Sequence, residues 1–112
     1  MSQCSKEYIL AVNDTMNVLI GKWKIPIIAV LLLGKKRFNE IEKAIPKINP
    51  RMLSKELRDL ENNGIVKRSV YNTVPVTVEY ELTASGYSFR KVIGIMLEWG
   101  MEHRNGFINK DN

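Results

Sequence analysis

With 112 residues, the chain can close one hydrophobic core but not comfortably two. Its 45% hydrophobic and 26% charged content excludes wholesale disorder, and its single cysteine, Cys4, excludes an internal disulfide framework and a multi-cysteine zinc site. Lys and Arg outnumber Asp and Glu by 17 to 12, a net charge of +5. The excess is local: Lys35 to Arg68 holds ten basic and five acidic residues, so this window carries all of it and the remainder is neutral. A localised basic stretch suits an anionic partner, although a solvated basic surface would look the same on charge alone. The longest apolar run, Ile25 to Leu33, is too short to cross a bilayer and contains Pro26. The first residues lack the charged and apolar regions of a signal peptide, so a cytoplasmic protein without membrane association is expected.

The elements follow in chain order as parts of one domain. From Lys6 to Leu19, the apolar residues Ile9, Val12, Met16 and Leu19 recur at helical spacing, and Gly21 supplies a terminus. A second helix, Lys24 to Leu33, is apolar on most sides and so buried; Pro26 is tolerated in its first turn. The basic cluster Lys35-Lys36-Arg37 leads to Phe38 and a short third helix, Asn39 to Ala44. Ile41 and Ala44 are expected to face the core, and Pro46 ends the helix. Trp23 and Phe38 read as core anchors.

Asn49-Pro50 restarts the chain as N-cap and first helical residue, and Asn63-Gly64 stops it. Between them Leu53, Leu57 and Leu60 form an apolar ridge, while Arg51, Ser54, Lys55 and Arg58 form a second ridge at i, i+3, i+4 and i+7. A helix with one greasy and one basic ridge can lie on a core and face polyanionic DNA, and the pair over about 38–63 forms a helix-turn-helix. Asp59 and Glu61 are expected to pair with nearby cations.

After Gly64 the period changes to two. Val66 to Tyr71 and Val76 to Leu82 alternate around the turn Asn72-Thr73-Val74-Pro75, a β-hairpin over about 65–82. Thr83 caps a long final helix, about 84–104. Phe89, Val92, Met96 and Trp99 form one stripe on it, and Ile93, Leu97 and Gly100 a second. That is more apolar surface than one small core needs, and it points to a dimer interface, assisted by the first helix.

The fold expected is α+β, mainly α: a winged helix-turn-helix with a two-stranded hairpin wing and terminal dimerisation helices. Gly21-Lys22-Trp23, Arg37-Phe38-Asn39-Glu40-Ile41, Met52 through Glu61, Asn63-Gly64-Ile65-Val66, Val78-Glu79-Tyr80 and Leu82-Thr83 with Gly86 follow in register. This set resembles the HxlR-type branch of the bacterial winged-helix regulators, related to the MarR group, over about Val12 to Trp99.

The resemblance implies a homodimeric transcription factor, a repressor in the reading adopted, on a palindromic operator. Its recognition helix would present Pro50, Arg51, Ser54, Lys55 and Arg58 to the major groove. Lys36, Arg37 and Asn39 would meet phosphates, and the wing, with Lys67, Arg68, Asn72, Thr73 and Thr77, would lie along the minor groove. The family often has Arg or Lys where Thr77 stands, which leaves the wing's grip either weaker or borne by Lys67, Arg68 and Asn72. Several members sense oxidants through a cysteine at the positions of Ile9 or Leu10; Cys4 lies outside that register, and a redox role for it competes with an inert exposed thiol. The partners expected are double-stranded DNA, a second copy, and a small-molecule or redox effector. No cofactor, metal site or catalytic constellation is expected: there is no phosphate loop, no nucleophile beside a base and no set of metal ligands at working spacing. The alternative is a winged-helix module for protein partners or for non-specific nucleic-acid binding.

Overall fold

The computed structural model describes residues 5–111; Cys4 lies outside them. Six helices and three strands follow in the order α1 (Ser5–Leu19), α2 (Lys24–Leu31), β1 (Lys36–Arg37), α3 (Phe38–Ala44), α4 (Pro50–Asn62), β2 (Val66–Tyr71), β3 (Thr77–Leu82), α5 (Ala84–Tyr87) and α6 (Phe89–Asp111). The sheet is antiparallel in the order β1-β3-β2. The hairpin therefore has a third strand, which the sequence hides because two residues are too few to show an alternation. Arg37 ends β1 and immediately precedes α3, where its amide donates to Glu40 Oε1 at 2.8 Å. The wing and the first helix of the helix-turn-helix are thus joined without a linker.

One core collects Ile27, Ile28 and Leu31 from α2, Ile41 from α3, Leu53, Leu57 and Leu60 from α4, and Val66 and Leu82 from the sheet. Trp23, Phe38 and Tyr80 pack on it half-buried. On α3 the expected pattern shifts by one: Ala44 is exposed and Ile45, just beyond the helix, is buried. The helix has ended there, and the extended backbone of Ile45 turns its larger side chain inward.

Two local devices hold α4 in place. At its start Asn49 Oδ1 accepts from the Met52 amide at 2.9 Å, with Pro50 at the first helical position, where no N–H is missed. At its end Gly64 takes φ +73°, its amide donates to the Glu61 carbonyl at 3.0 Å, and the Ile65 amide reaches back to Leu60 at 2.9 Å. This paired closure needs a left-handed residue, and buried Ile65 and Leu60 supply its apolar contact.

The expected final helix is two helices. Thr83 caps α5, accepting from the Gly86 amide at 3.1 Å, and a single turn residue, Ser88, itself in helical conformation, separates α5 from α6. A Cβ on Gly86 would collide with the Ile65 carbonyl and crowd Leu82, so this turn can sit against the sheet only with glycine.

The terminal helices extend the molecule. Its radius of gyration is 16.8 Å, whereas a compact chain of this length would have ~13 Å. Of the fifteen residues in α1 only Leu19 is buried; Ile9, Val12 and Met16, expected to share its apolar face, are exposed. On α6, Phe89 and Ile93 turn back onto the chain's own core. Val92, Ile95, Met96 and Trp99, at i, i+3, i+4 and i+7, form a separate exposed stripe, with Trp99 65% exposed. Ile95 thereby joins the outward set, while Phe89 and Ile93 of the expected interface are largely used within the subunit. Among the described residues no helix is long and apolar enough to cross a membrane.

Candidate nucleic-acid interface

The α4 helix divides its residues cleanly. Leu53, Leu57 and Leu60 face inward against α2 and β2, while Arg51, Ser54, Lys55 and Arg58 are exposed on the outer side. The outer residues rim a shallow groove of about 420 Å³ together with Met52. A second, more polar cleft of about 310 Å³ separates α4 from the sheet; Ser54, Arg58 and Glu61 line one wall, Arg68 and Tyr80 the other. The structure therefore brings Arg68 next to the face that carries Arg58.

The strand register separates Arg68 from its neighbour. Arg68 lies opposite Tyr80, on the side turned to α4, whereas Lys67 lies opposite Glu81. Successive residues of a strand point to opposite faces, so Lys67 belongs to the outer side of the sheet. That side is mixed in charge: Lys35 is pushed above its usual range, first by Tyr71 and then by Glu81 and Glu79. Lys36 pairs with Tyr80 and is half-buried, while Arg37, opposite Glu79, and Asn39, in the first turn of α3, are exposed.

Two expected wing contacts are engaged within the wing. The Thr73 hydroxyl donates to the Pro75 carbonyl at 2.7 Å and lies 3.1 Å from the Thr77 hydroxyl. These bonds close the turn, leaving Asn72 exposed beside it and Val74 wholly exposed at its tip.

Beneath the outer ridge lies a group of charges that the sequence pattern did not disclose. Lys24, at the first position of α2, is buried; its Nζ donates to Glu56 Oε1 at 3.0 Å and to Asp59 Oδ2 at 3.4 Å. Lys55 closes the cluster from outside, 3.4 Å from Asp59 Oδ2 and 3.6 Å from Glu56 Oε1. Burial pushes the Asp59 carboxyl up, but hydrogen bonds from Lys55 and Lys24 outweigh this and hold it below its usual range. The hydrogen bond to Asp59, followed by the charges of Asp59 and Glu56, raises the Lys55 ammonium. The expected pairing of Asp59 is present; the ion pairs of the described residues do not include Glu61. Lys24 was hidden because its partner stands 32 residues along the chain and its own helix is otherwise apolar.

Known proteins resemble this chain in sequence and fold. The profile of the HxlR-like helix-turn-helix family matches residues 18–106. The HTH-type transcriptional regulator YtcD of Bacillus subtilis is 42% identical over 100 residues, covering 89% of this chain and 79% of that protein. A regulator of the same type from Methanothermobacter thermautotrophicus is 45% identical over 94 residues, 84% of this chain and 73% of its own length. The solved structure of the redox regulator HypR in its reduced form superposes with a TM-score of 0.82 at 42% identity, covering 88% of this chain and 98% of the other. The winged fold, the basic outer face of α4 and this match over most of the sequence agree: the chain belongs to the HxlR-like helix-turn-helix family and is a DNA-binding transcriptional regulator, not an enzyme.

Proposed function

We propose that the protein acts as a homodimer on a palindromic operator in the cytoplasm and represses the promoter it occupies. The observation that carries this reading is the division of α4, with leucines anchored in the core and Arg51, Ser54, Lys55 and Arg58 presented outward behind the capped start at Pro50. A helix so held enters a major groove as a rigid body, and arginine in such a position matches guanine bidentately. Arg68, beside Arg58 in the cleft, and Asn72 on the wing would extend the contact, and the exposed Arg37 and Asn39 would meet phosphates. Arg37 shares the sheet face of Lys67 rather than that of Arg68. Thr73 and Thr77 shape the wing.

The second copy is suggested by the outward stripe of α6 and the exposed apolar residues of α1, a larger apolar surface than a lone subunit leaves in water. Pairing through these helices sets two α4 helices against successive major grooves about 34–36 Å apart. Selection from randomised duplex DNA at physiological salt tests both elements. A palindrome with half-sites one helical turn apart is expected. Binding without an enriched site, vanishing as salt rises, would replace this reading with non-specific nucleic-acid binding.

An effector completes the proposal. The similarity to a protein titled a redox regulator brings an oxidant within the range of signals, alongside an apolar small molecule. Cys4 is the single thiol, so a thiol-based response of this chain runs through it. Release of operator DNA by diamide in the parent but not in Cys4→Ser is the result expected of such a sensor; equal release in both would remove it.

A further inference from the structure

The outer ridge of α4 does not present its three cations equally. Arg51 and Arg58 are exposed and form no ion pair among the described residues. Lys55 is different: its ammonium lies between two carboxylates, 3.4 Å from Asp59 and 3.6 Å from Glu56. An exposed i, i+4 pair alone would be weak, since both side chains move freely. Here the acids are fixed from below. Buried Lys24 holds Glu56 at 3.0 Å and Asp59 at 3.4 Å, so the carboxylates are held in place whether or not Lys55 is present.

We propose that Asp59, anchored by Lys24, is a specificity-determining residue that restrains Lys55 from indiscriminate phosphate contact. A free lysine on a groove-facing helix adds the same favourable interaction to every sequence, because phosphates are everywhere. A lysine already neutralised by a fixed carboxylate adds little to arbitrary DNA. It transfers to DNA only where the docked geometry offers more than the acids do. Asp59 thus lowers the background and leaves discrimination to Arg51 and Arg58. This inference rests on α4 being the DNA-facing helix.

The test is the salt dependence of binding to a short duplex of arbitrary sequence, measured for the full chain. Each phosphate neutralised contributes about −0.9 to the slope of log K against log salt. Asp59→Asn, which keeps the shape and can still accept from Lys24, is expected to steepen the slope by about one such contact. The same substitution in a Lys55→Gln background is expected to leave the slope unchanged, because no lysine remains to be released. Equal steepening in both backgrounds would show a plain net-charge effect and overturn the inference, as would no steepening in either.

Lys55→Gln alone supplies a second readout that does not depend on altering Asp59. It should flatten the slope by clearly less than Arg58→Ala does; equal flattening would mean that Lys55 was never restrained. Arg58→Ala also separates the two levels of the argument. If it leaves the slope unaltered, the assignment of α4 to DNA fails and the role of Asp59 goes with it. If it flattens the slope while the Asp59 results are negative, only the role of Asp59 fails.

Discussion

The α4 and α6 helices are both amphipathic, yet they use their apolar residues in opposite ways. In α4 the leucines are buried, the first turn is capped by Asn49, the last is closed through Gly64, and the inward acid Glu56 has a buried partner in Lys24. In α6 only Phe89 and Ile93 reach the core, and Val92, Ile95, Met96 and Trp99 stay in water. Hydrophobic burial in α4 contributes to folding of the subunit. The same free energy in α6 is still available for association. An amphipathic pattern therefore indicates that a face will be covered, but not by which chain.

Substitutions in the two helices can break this contrast. The largest effect is expected inside: Lys24→Met removes the buried, hydrogen-bonded partner of Glu56, leaving only exposed Lys55 at 3.6 Å, and should cost about 3 kcal/mol of stability, read by denaturant unfolding at one fixed protein concentration. Replacing Glu56 by Leu in the same variant should recover much of that loss; failure to recover would show that the pair does more than neutralise itself. On α6, Trp99→Glu should leave the subunit folded but weaken self-association by about 2–4 kcal/mol, the range of a buried aromatic anchor. Sedimentation across a concentration series measures it, and an unaltered profile would assign that stripe to something other than a second copy.

Smaller effects sharpen the boundary between these regions. Gly86→Ala forces a Cβ against the Ile65 carbonyl where α5 meets the sheet, and should cost about 1–3 kcal/mol in thermal unfolding. Asn49→Ala removes one cap from α4 and should cost about 1 kcal/mol. A markedly larger loss there would mean that the α4 start is coupled to more than its own first turn.

What was legible in the sequence was what is decided locally. The α4 helix announces itself through Asn49-Pro50, its leucine spacing and Asn63-Gly64, and each signal acts within a few residues. The hairpin shows in the alternation from Val76 to Leu82. The features that escaped depend on partners far along the chain. β1 exists only because β3 lies beside it, and Lys24 is stable inside an apolar helix only because Glu56 and Asp59 arrive from α4. The opposite orientation of Lys67 and Arg68 was implicit in strand geometry but had no meaning until α4 was placed against one face. The stripe on α6 was half legible: its excess of apolar surface was evident, but which residues turn inward depends on a core assembled from distant elements, onto which Phe89 and Ile93 pack.

The strand order carries a consequence for how copies of this protein avoid one another. β3 is enclosed between β1 and β2, so the edges of the sheet are a two-residue strand and β2. An open edge can template the growth of a sheet from chain to chain, but one edge here is too short for this and the other carries adjacent cations, Lys67 and Arg68, directly after its first residue, Val66. Intermolecular strand addition is discouraged on both sides, which leaves the exposed apolar residues of α1 and α6 as the surfaces through which the proposed second copy would join.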